Sequence, residues 1–345
     1  MVEQEVYGQI AGVPVHRFTL KNAAGGLLRL INYGAAVTEL HVPDRHGQLD
    51  DVVLGYDTLE GYLQGTGFLG ATVGRFANRI RNGRFELDDQ KFQLEANDPP
   101  HHLHGGARGW DKLLWQAQIV DAAGGASVTF SHASSAGEAG YPGNVAAQVR
   151  YTLTDQNEVH IEHSATSDAP TPLSMAHHSY FNLGGHASGS VLHHELELFA
   201  DAYTPGDPIV PTGEVAAVRG TAFDFTAPRP IGRELPQLGT APAGFDHNFV
   251  VRGDATQFRP VARLRDPRSG RVLSLHANQP GLQFYSGNYL NGALGKGARH
   301  VRHAGLCLET QAFPDAINVP AWREQALLTP GNGYRHRMEL RFSAE

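Results

Sequence analysis

The chain has 345 residues, of which 41% are hydrophobic and 18% charged, as expected of a soluble globular protein with a sizeable core. Its formal net charge of −7 and the absence of a basic stripe argue against a nucleic-acid partner. The single cysteine, Cys307, excludes an internal disulfide and any multi-cysteine metal site. Residues 1–11 lack the basic start and apolar run of a signal peptide, and no segment reads as a membrane span. We therefore expect a cytoplasmic protein without membrane association, with 1–345 as one domain.

Short segments that alternate apolar and polar residues follow one another along the chain, as half-buried antiparallel strands do. Residues 57–63 predict one or two helical turns capped by Asp57 or Thr58, and Asn82-Gly83 predicts a hairpin joining Arg79-Ile80 to 84–87. About twenty short strands with frequent turns predict an all-β sandwich or barrel. The principal predicted strands are 13–20, 27–33, 35–42, 52–54, 84–87, 91–94, 127–132, 144–153, 159–165, 194–199, 261–264, 271–276, 282–285 and 334–342.

Two stretches in the first third carry polar side chains that strand alternation does not require. The stretch 74–80 places Arg79 beside Asn78, and a forked guanidinium next to an amide suits hydroxyl or carboxylate oxygens. The stretch 97–106 contains His104 followed by two glycines, which permit tight backbone turns at the rim of a site. Solvated arginines and an inert polar loop are the simpler interpretations.

The chain contains 19 histidines, which raises the question of a metal. The spacing of His102 and His104 is similar to that of metal motifs in β-barrel proteins. Such a motif needs a glutamate four or five residues later, where Arg108 and Gly109 stand instead. The sequence therefore predicts neither a metal nor a cofactor.

Two further stretches lie in the middle of the chain. Within 175–183, His177 and His178 are adjacent, and adjacent strand residues point to opposite faces. One of the two histidines is therefore expected to enter a site while the other packs or meets solvent. Within 244–250, Asp246 precedes a strand, for which a turn cap is the simpler interpretation.

The last two stretches are strands. In 281–288, Gln283 and Tyr285 share one face, and an amide beside an aromatic ring suits a sugar. The segment 305–320 begins as a strand with Glu309 among apolar neighbours, where lost hydration raises the pKa of a carboxylate. Alone, this residue would be interpreted as a solvated or arginine-paired carboxylate. In combination, these groups predict a pocket for a neutral polyol and acid–base rather than nucleophilic chemistry.

Seven sequence blocks resemble those of the aldose 1-epimerase (galactose mutarotase) family, come in the family's order and span nearly the whole chain. The resemblance implies a large single-domain antiparallel β-sandwich with an open sugar-binding cleft. The blocks are Gly-Arg-x-Ala-Asn-Arg-Ile at 74–80, Leu-His-Gly-Gly at 103–106, His-Ser-Tyr-Phe-Asn-Leu at 178–183, Pro-Thr-Gly-Glu at 211–214, Phe-Asp-His-Asn-Phe-Val at 245–250, Pro-Gly-x-Gln-Phe-Tyr-x-Gly-Asn at 280–288 and Leu-Glu-Thr-Gln-x-x-Pro-Asp-Ala at 308–316.

The resemblance also implies roles for individual residues. Glu309 matches the family's general base, His178 its general acid and His104 its second active-site histidine. The implied ligands of the sugar hydroxyls are Asn78, Arg79, Asp246 and Gln283. Ala176-His177 stands where the family usually has Thr-Asn, and His101 where it often has Asn. Neither departure touches the acid or the base, but both bear on sugar preference.

The implied function is the interconversion of α and β anomers of a free monosaccharide, with neither cofactor nor metal. An ionised Glu309 is expected to take the proton of the C1 hydroxyl while a protonated His178 gives one to the ring oxygen. Three alternatives stay open. They are a non-catalytic sugar-binding or sensor protein, a glycosidase using Asp246 and Glu309 as its carboxylate pair, and a hexose-6-phosphate epimerase, for which the sequence shows no basic cluster. Neither the preferred sugar nor the oligomeric state is predicted.

Overall fold

The computed structural model describes residues 2–122, 125–207, 209–239 and 241–345. Strands dominate these residues, and their single α-helix is α1 (Leu59–Gln64). Helix α1 begins where predicted, because the Thr58 side chain accepts a hydrogen bond from the backbone N–H of Gly61. In the described part of the chain, no helix combines the length and apolar character needed to cross a bilayer.

The strands are numbered in chain order. The first fifteen are β1 (Val2–Ile10), β2 (Val13–Lys21), β3 (Leu27–Ile31), β4 (Ala36–Pro43), β5 (Leu49–Asp51), β6 (Thr72–Val73), β7 (Arg79–Ile80), β8 (Arg84–Leu87), β9 (Gln90–Gln93), β10 (His102–Leu103), β11 (Gln116–Ala122), β12 (Gly125–Ser134), β13 (Val145–Thr154), β14 (Glu158–Ser167) and β15 (Thr171–Pro172). The others are β16 (Ala176–His177), β17 (Glu195–Leu198), β18 (Ala200–Tyr203), β19 (Ala216–Ala217), β20 (Arg229–Pro230), β21 (Asp246–Val251), β22 (Arg259–Arg265), β23 (Arg271–Ala277), β24 (Gly281–Tyr285), β25 (Ala293–Gly295), β26 (Ala298–His300), β27 (Cys307–Gln311), β28 (Leu327–Leu328) and β29 (Tyr334–Ala344). Single 3₁₀ turns lie at Arg81–Gly83, Trp110–Lys112, Glu138–Gly140, Ile231–Arg233, Leu235–Gln237, Ala316–Asn318 and Arg323–Gln325.

Three larger antiparallel sheets form the frame. A nine-stranded sheet has the order β11-β12-β13-β14-β29-β23-β22-β17-β20, and a five-stranded sheet has the order β1-β2-β3-β4-β5. A second five-stranded sheet, β19-β18-β21-β24-β27, carries Asp246, Gln283 and Glu309 and is called the site sheet below. All three sheets are open, so the sandwich alternative is confirmed and the barrel alternative is wrong.

Strand alternation explains how the sheets share a core. Along β13, Val145, Ala147, Val149 and Tyr151 are buried while the residues between them are exposed or half-buried. These side chains join one large cluster of buried apolar residues to which all three sheets contribute. Because burying one large apolar side chain stabilises a fold by about 1.5–3 kcal/mol, this cluster holds the sheets face to face.

The hairpin predicted at Asn82-Gly83 is wrong. Strand β7 pairs with β10, and β8 pairs with β9 across the turn that follows Leu87. Asn82 does take a turn conformation, with φ of +54°, but inside a 3₁₀ turn that redirects the chain. Its backbone N–H donates to Nδ1 of His101, 3.2 Å away. This hydrogen bond holds the turn against the loop that precedes β10. That redirection brings the stretches 74–80 and 97–106 together.

Candidate active site

The site sheet turns one face towards a cavity and the other towards the main core. In its register, Gln283 on β24 lies opposite Glu309 on β27, and Tyr285 on β24 lies opposite Asp246 on β21. Residues that oppose each other across an antiparallel pair share a face, so these polar groups lie together. On the other face, residues such as Phe284 and Leu308 belong to the main core. The predicted alternation around Glu309 is therefore present in the fold.

His178 follows β16 and is fixed by its backbone. The His178 N–H donates to the carbonyl of Ala71 at 2.9 Å, and the His178 carbonyl accepts from the N–H of Gly70 at 3.0 Å. The preceding His177 points the other way, with Nδ1 3.3 Å from the hydroxyl of Tyr151. The prediction that only one of these adjacent histidines enters the site therefore agrees with the geometry.

His104 reaches the site through the short β7–β10 pairing. Its backbone N–H donates to the carbonyl of Asn78, and the Asn78 N–H donates back to Nδ1 of the His104 ring at 3.1 Å. Because Nδ1 accepts this bond, the neutral ring carries its proton on Nε2, which is left to donate. The next residue must be glycine, since Gly105 has φ of +87° and a Cβ there would lie 1.8 Å from the carbonyl oxygen of Gly74.

A cavity of about 490 Å³ brings most of the predicted site residues together. Its polar lining includes six of the seven residues expected from the sequence, namely Asn78, Arg79, His104, His178, Asp246 and Glu309. Its apolar and aromatic lining includes Tyr56, Phe68, Leu69, Tyr180, Tyr285 and Tyr289. A volume of this size is ordinary for a small-molecule site, and the mixture of rings and hydroxyl-binding groups suits a sugar.

Gln283, the seventh predicted residue, does not line the cavity. Its side chain is buried behind Asp246, and Nε2 donates to Asp246 Oδ1 at 2.7 Å. Arg79 is oriented in the same manner, because its Nε donates to Asp98 Oδ2 at 2.7 Å. Gln283 and Asp98 thus fix two side chains that line the cavity, and the sequence singled out only the first of them.

Glu309 and His178 face each other at the floor of the cavity. Their atoms Oε1 and Nε2 are 3.7 Å apart, and both residues are at least 95% buried. Within the described residues, the other carboxylate oxygen of Glu309, Oε2, has no hydrogen-bond partner. Buried polar atoms are usually hydrogen-bonded, so an unpaired carboxylate oxygen at this position is typical of a functional rather than a structural carboxylate.

Burial shifts the pKa values of these groups in opposite directions. Burial, reinforced by Asp246 and opposed by Arg79, raises the pKa of Glu309 well above its usual range. Burial lowers the pKa of His178 to about 4. The pKa of His104 is also held well below its usual range, by burial and by the neighbouring His178. The site thus favours neutral forms of all three groups.

Two other histidines of the stretch 97–106 lie outside the cavity. The ring of His102 bonds to the carbonyl of Glu95 through Nδ1 and to the Tyr141 hydroxyl through Nε2, so it faces away from His104. His101 uses its ring to hold the turn at Asn82, as described above. The family departures at His101 and His177 therefore concern residues that support the site without lining it.

His104, His178 and Glu309 bring ligand atoms within 4.8 Å of one another, which is also compatible with a metal. One nitrogen of His104 is already occupied by the Asn78 N–H, and the same three groups suit acid–base chemistry. The expectation that no metal takes part stays a prediction.

Comparison with known proteins settles the family. Residues 16–341 match the family model described as aldose 1-epimerase. The chain belongs to the aldose 1-epimerase family. Among its relatives, the galactose mutarotase of Bos taurus is 45% identical over 317 residues, or 91% of this chain and 90% of that protein. The aldose 1-epimerase of Escherichia coli (strain K12) is 36% identical over 339 residues, or 97% of each chain.

A solved structure of this family has the same fold. The galactose 1-epimerase from Lactobacillus acidophilus NCFM superposes with a TM-score of 0.88 at 28% identity, covering all of this chain and 99% of that one. The predicted family, the all-β sandwich and the isomerase activity of an aldose 1-epimerase are thereby confirmed. A purely sugar-binding role is not favoured.

Proposed function

We propose that the protein interconverts the α and β anomers of a free monosaccharide by acid–base catalysed ring opening, with Glu309 as base and His178 as acid. The observation that carries this proposal is the buried pair itself, 3.7 Å apart on the floor of a cavity lined by sugar-binding groups. Family membership supports the reaction, and relatives named galactose mutarotase make galactose the first sugar to test.

The proposed chemistry moves two protons. Glu309 takes the proton of the C1 hydroxyl, a C1=O1 double bond forms, the bond between C1 and the ring oxygen breaks, and His178 gives its proton to that oxygen. Rotation about C1–C2 presents the other face of the aldehyde, and the same transfers in reverse close the ring. His104, with its proton on Nε2, donates a hydrogen bond that orients the sugar. Asn78, Arg79 and Asp246 bind the remaining hydroxyls.

The pKa shifts bear on which protonation state starts the reaction. Ring opening needs an ionised Glu309 and a protonated His178, whereas burial favours one proton on Glu309 and a neutral His178. Both states hold one proton, so its transfer from the carboxyl to the imidazole prepares the reactive pair. A sugar hydroxyl that donates to the carboxylate promotes this transfer. The neutral state is itself the one that closes the open aldehyde.

The pH dependence of kcat/KM follows from the number of protons that Glu309 and His178 hold together. Below the pKa of His178, at about 4, the pair holds two protons and lacks a base. Above the raised pKa of Glu309, it holds none and lacks an acid. We expect kcat/KM to fall as the pH is lowered through about 4, measured by polarimetry with the buffer rate subtracted and folding verified by circular dichroism. An acid limb near the ordinary histidine value of about 6.5 would contradict this account.

Polarimetry of freshly dissolved α-D-galactose and α-D-glucose tests the proposed function. The rotation should reach its equilibrium value faster with the protein than in buffer alone. A sensor would bind the sugar in calorimetry yet leave the rate unchanged, and a glycosidase would release nitrophenol from a nitrophenyl glycoside. Among the described lining residues, Arg79 is the sole arginine or lysine, and its Nε is engaged with Asp98, which disfavours a sugar phosphate.

Removal of metal ions should not affect the rate, because the proposed proton transfers use side chains only. Dialysis of the protein against EDTA is expected to leave kcat for galactose within experimental error of the untreated value. A loss of activity that Zn²⁺ or Mn²⁺ restores would instead assign the cluster of His104, His178 and Glu309 to a metal.

A further inference from the structure

A loop that the sequence did not single out packs against both catalytic histidines. It runs through 65–70, between α1 and β6, and carries Phe68 with φ of +56°, a conformation that is rare for a bulky side chain. The backbone fixes this conformation, since the Ala71 N–H donates to the Phe68 carbonyl and the Gly70 N–H donates to the carbonyl of His178. The loop and the histidine segment therefore form one unit. Unusual backbone conformations of this kind often mark functional sites.

The Phe68 ring contacts the rings of both histidines. Its centroid lies 4.7 Å from that of His104 and 5.6 Å from that of His178, and the ring lines the cavity. The ammonium of Lys112 lies 5.7 Å from the same centroid and donates to the carbonyl of Ala107. The half-exposed ring of Phe68 therefore packs on both histidine rings, with the Lys112 ammonium close to it.

We propose that Phe68 is a positioning residue of the epimerase reaction: its ring keeps water away from His178 and holds both histidines against the sugar. This inference rests on the proposed role of His178 as the acid. It assigns a purpose to an aromatic side chain that has no polar group to offer the ligand. It also explains why the loop is fastened to the backbone of the histidine that it covers.

Greater exposure of His178 to solvent should change its pKa in a predictable direction. The titratable groups that face its ring or its segment are Glu309 and Cys307 from β27, His104 from the loop after β10, Tyr180 and His177 from its own segment, and Lys112 beyond Phe68. Burial is the first cause of the low pKa of His178. Admitting water through a missing ring relieves that burial, so the pKa should rise towards the ordinary value of about 6.5.

The test uses Phe68→Ala with two comparison variants. Phe68→Tyr keeps the ring, so the pKa of His178 should stay close to that of the unmodified protein. Phe258→Ala is the matched control, because Phe258 also stacks on a histidine, His276, and lies under a cation, Arg337, but none of the three lines the cavity. For Phe68→Ala we expect the acid limb of kcat/KM to move up by about one pH unit or more and kcat to fall at least about tenfold, with a smaller change in KM.

A direct readout separates this role from a structural one. The Cε1 proton of His178, assigned by its absence in His178→Asn, should titrate at higher pH in Phe68→Ala than in the unmodified protein. Phe68→Leu provides the same comparison if the alanine variant does not fold. An unchanged titration of His178, an unchanged kcat, or an equal shift in Phe258→Ala would overturn the proposal. If His178→Asn is itself fully active, the proposed function fails, and the NMR titration still reports whether Phe68 controls the pKa.

Discussion

Glu309→Gln is expected to lower kcat for anomer interconversion by about 10²–10⁴-fold, the usual contribution of one positioned acid–base group. The amide has nearly the shape of the carboxylate and still meets a sugar hydroxyl, but it cannot take a proton. KM should therefore change much less than kcat. The measurement is polarimetry with fresh α-D-galactose and α-D-glucose, with the uncatalysed rate subtracted.

The same substitution should leave the protein folded. Glu309 Oε2 has no hydrogen-bond partner among the described residues, and Oε1 lies 3.7 Å from His178, so the amide breaks no good bond. Replacing a buried carboxyl whose charged form burial disfavours costs little stability. Glu339→Gln is the matched control, since Glu339 is a largely buried strand glutamate of the nine-stranded sheet paired with Arg341. A fully active Glu309→Gln protein would end the proposal that Glu309 is the base.

His178→Asn is expected to cause a loss of similar size, because the ring oxygen then leaves without a proton donor. Asparagine keeps a polar side chain in the buried position but cannot change its protonation state. The expected loss is again about 10²–10⁴-fold in kcat. The two losses should not add in the double variant, because the acid and base act in one concerted opening.

The neighbouring histidine supplies the control. His177→Asn removes a buried ring that faces Tyr151 rather than the cavity, so it should lower stability while kcat stays within a few-fold. Thermal unfolding by circular dichroism and polarimetry on the same samples separate the two effects. Equal losses of kcat in His177→Asn and His178→Asn would mean that the histidine effect is structural.

Strand alternation was sufficient to predict the orientation of Glu309. In the strand around Glu309, Leu306 and Leu308 were expected to lie on the opposite face, and both lie in the main core while Glu309 lines the cavity. The argument works because the side-chain period of a strand is two and one face of this strand is tightly packed. The same rule separated His177 from His178.

Features that depend on distant register were not predictable. Asn82-Gly83 has hairpin composition, but its flanking segments pair with β10 and β9, and only the fold decides between a local and a distant partner. The role proposed for Phe68 could not be predicted from the sequence, because it depends on a loop that folds back onto His104 and His178. Gln283 was expected to bind a sugar hydroxyl, but it lies behind Asp246, and this position depends on packing that the sequence does not show.

The charge state of Glu309 and His178 was also not predictable from the sequence. A protonated histidine beside an ionised glutamate was the natural expectation, since His178 and Glu309 attract each other in those forms. Nearly complete burial of both groups favours the neutral arrangement instead. Burial of this degree depends on which segments of the chain pack around both side chains, and no local pattern of residues predicts it.

Ring opening leaves the C1 oxygen attached to carbon, and this is the claim that one measurement tests most directly. Sugar labelled with ¹³C at C1 is incubated with the protein in H₂¹⁸O, and both the anomer exchange and the isotope shift at C1 are followed by NMR. The proposed mechanism predicts many interconversions without ¹⁸O incorporation above the uncatalysed rate. Incorporation of ¹⁸O at C1 with each interconversion would show cleavage of the C1–O1 bond, as a carboxylate pair of Asp246 and Glu309 would produce, and would contradict the mechanism.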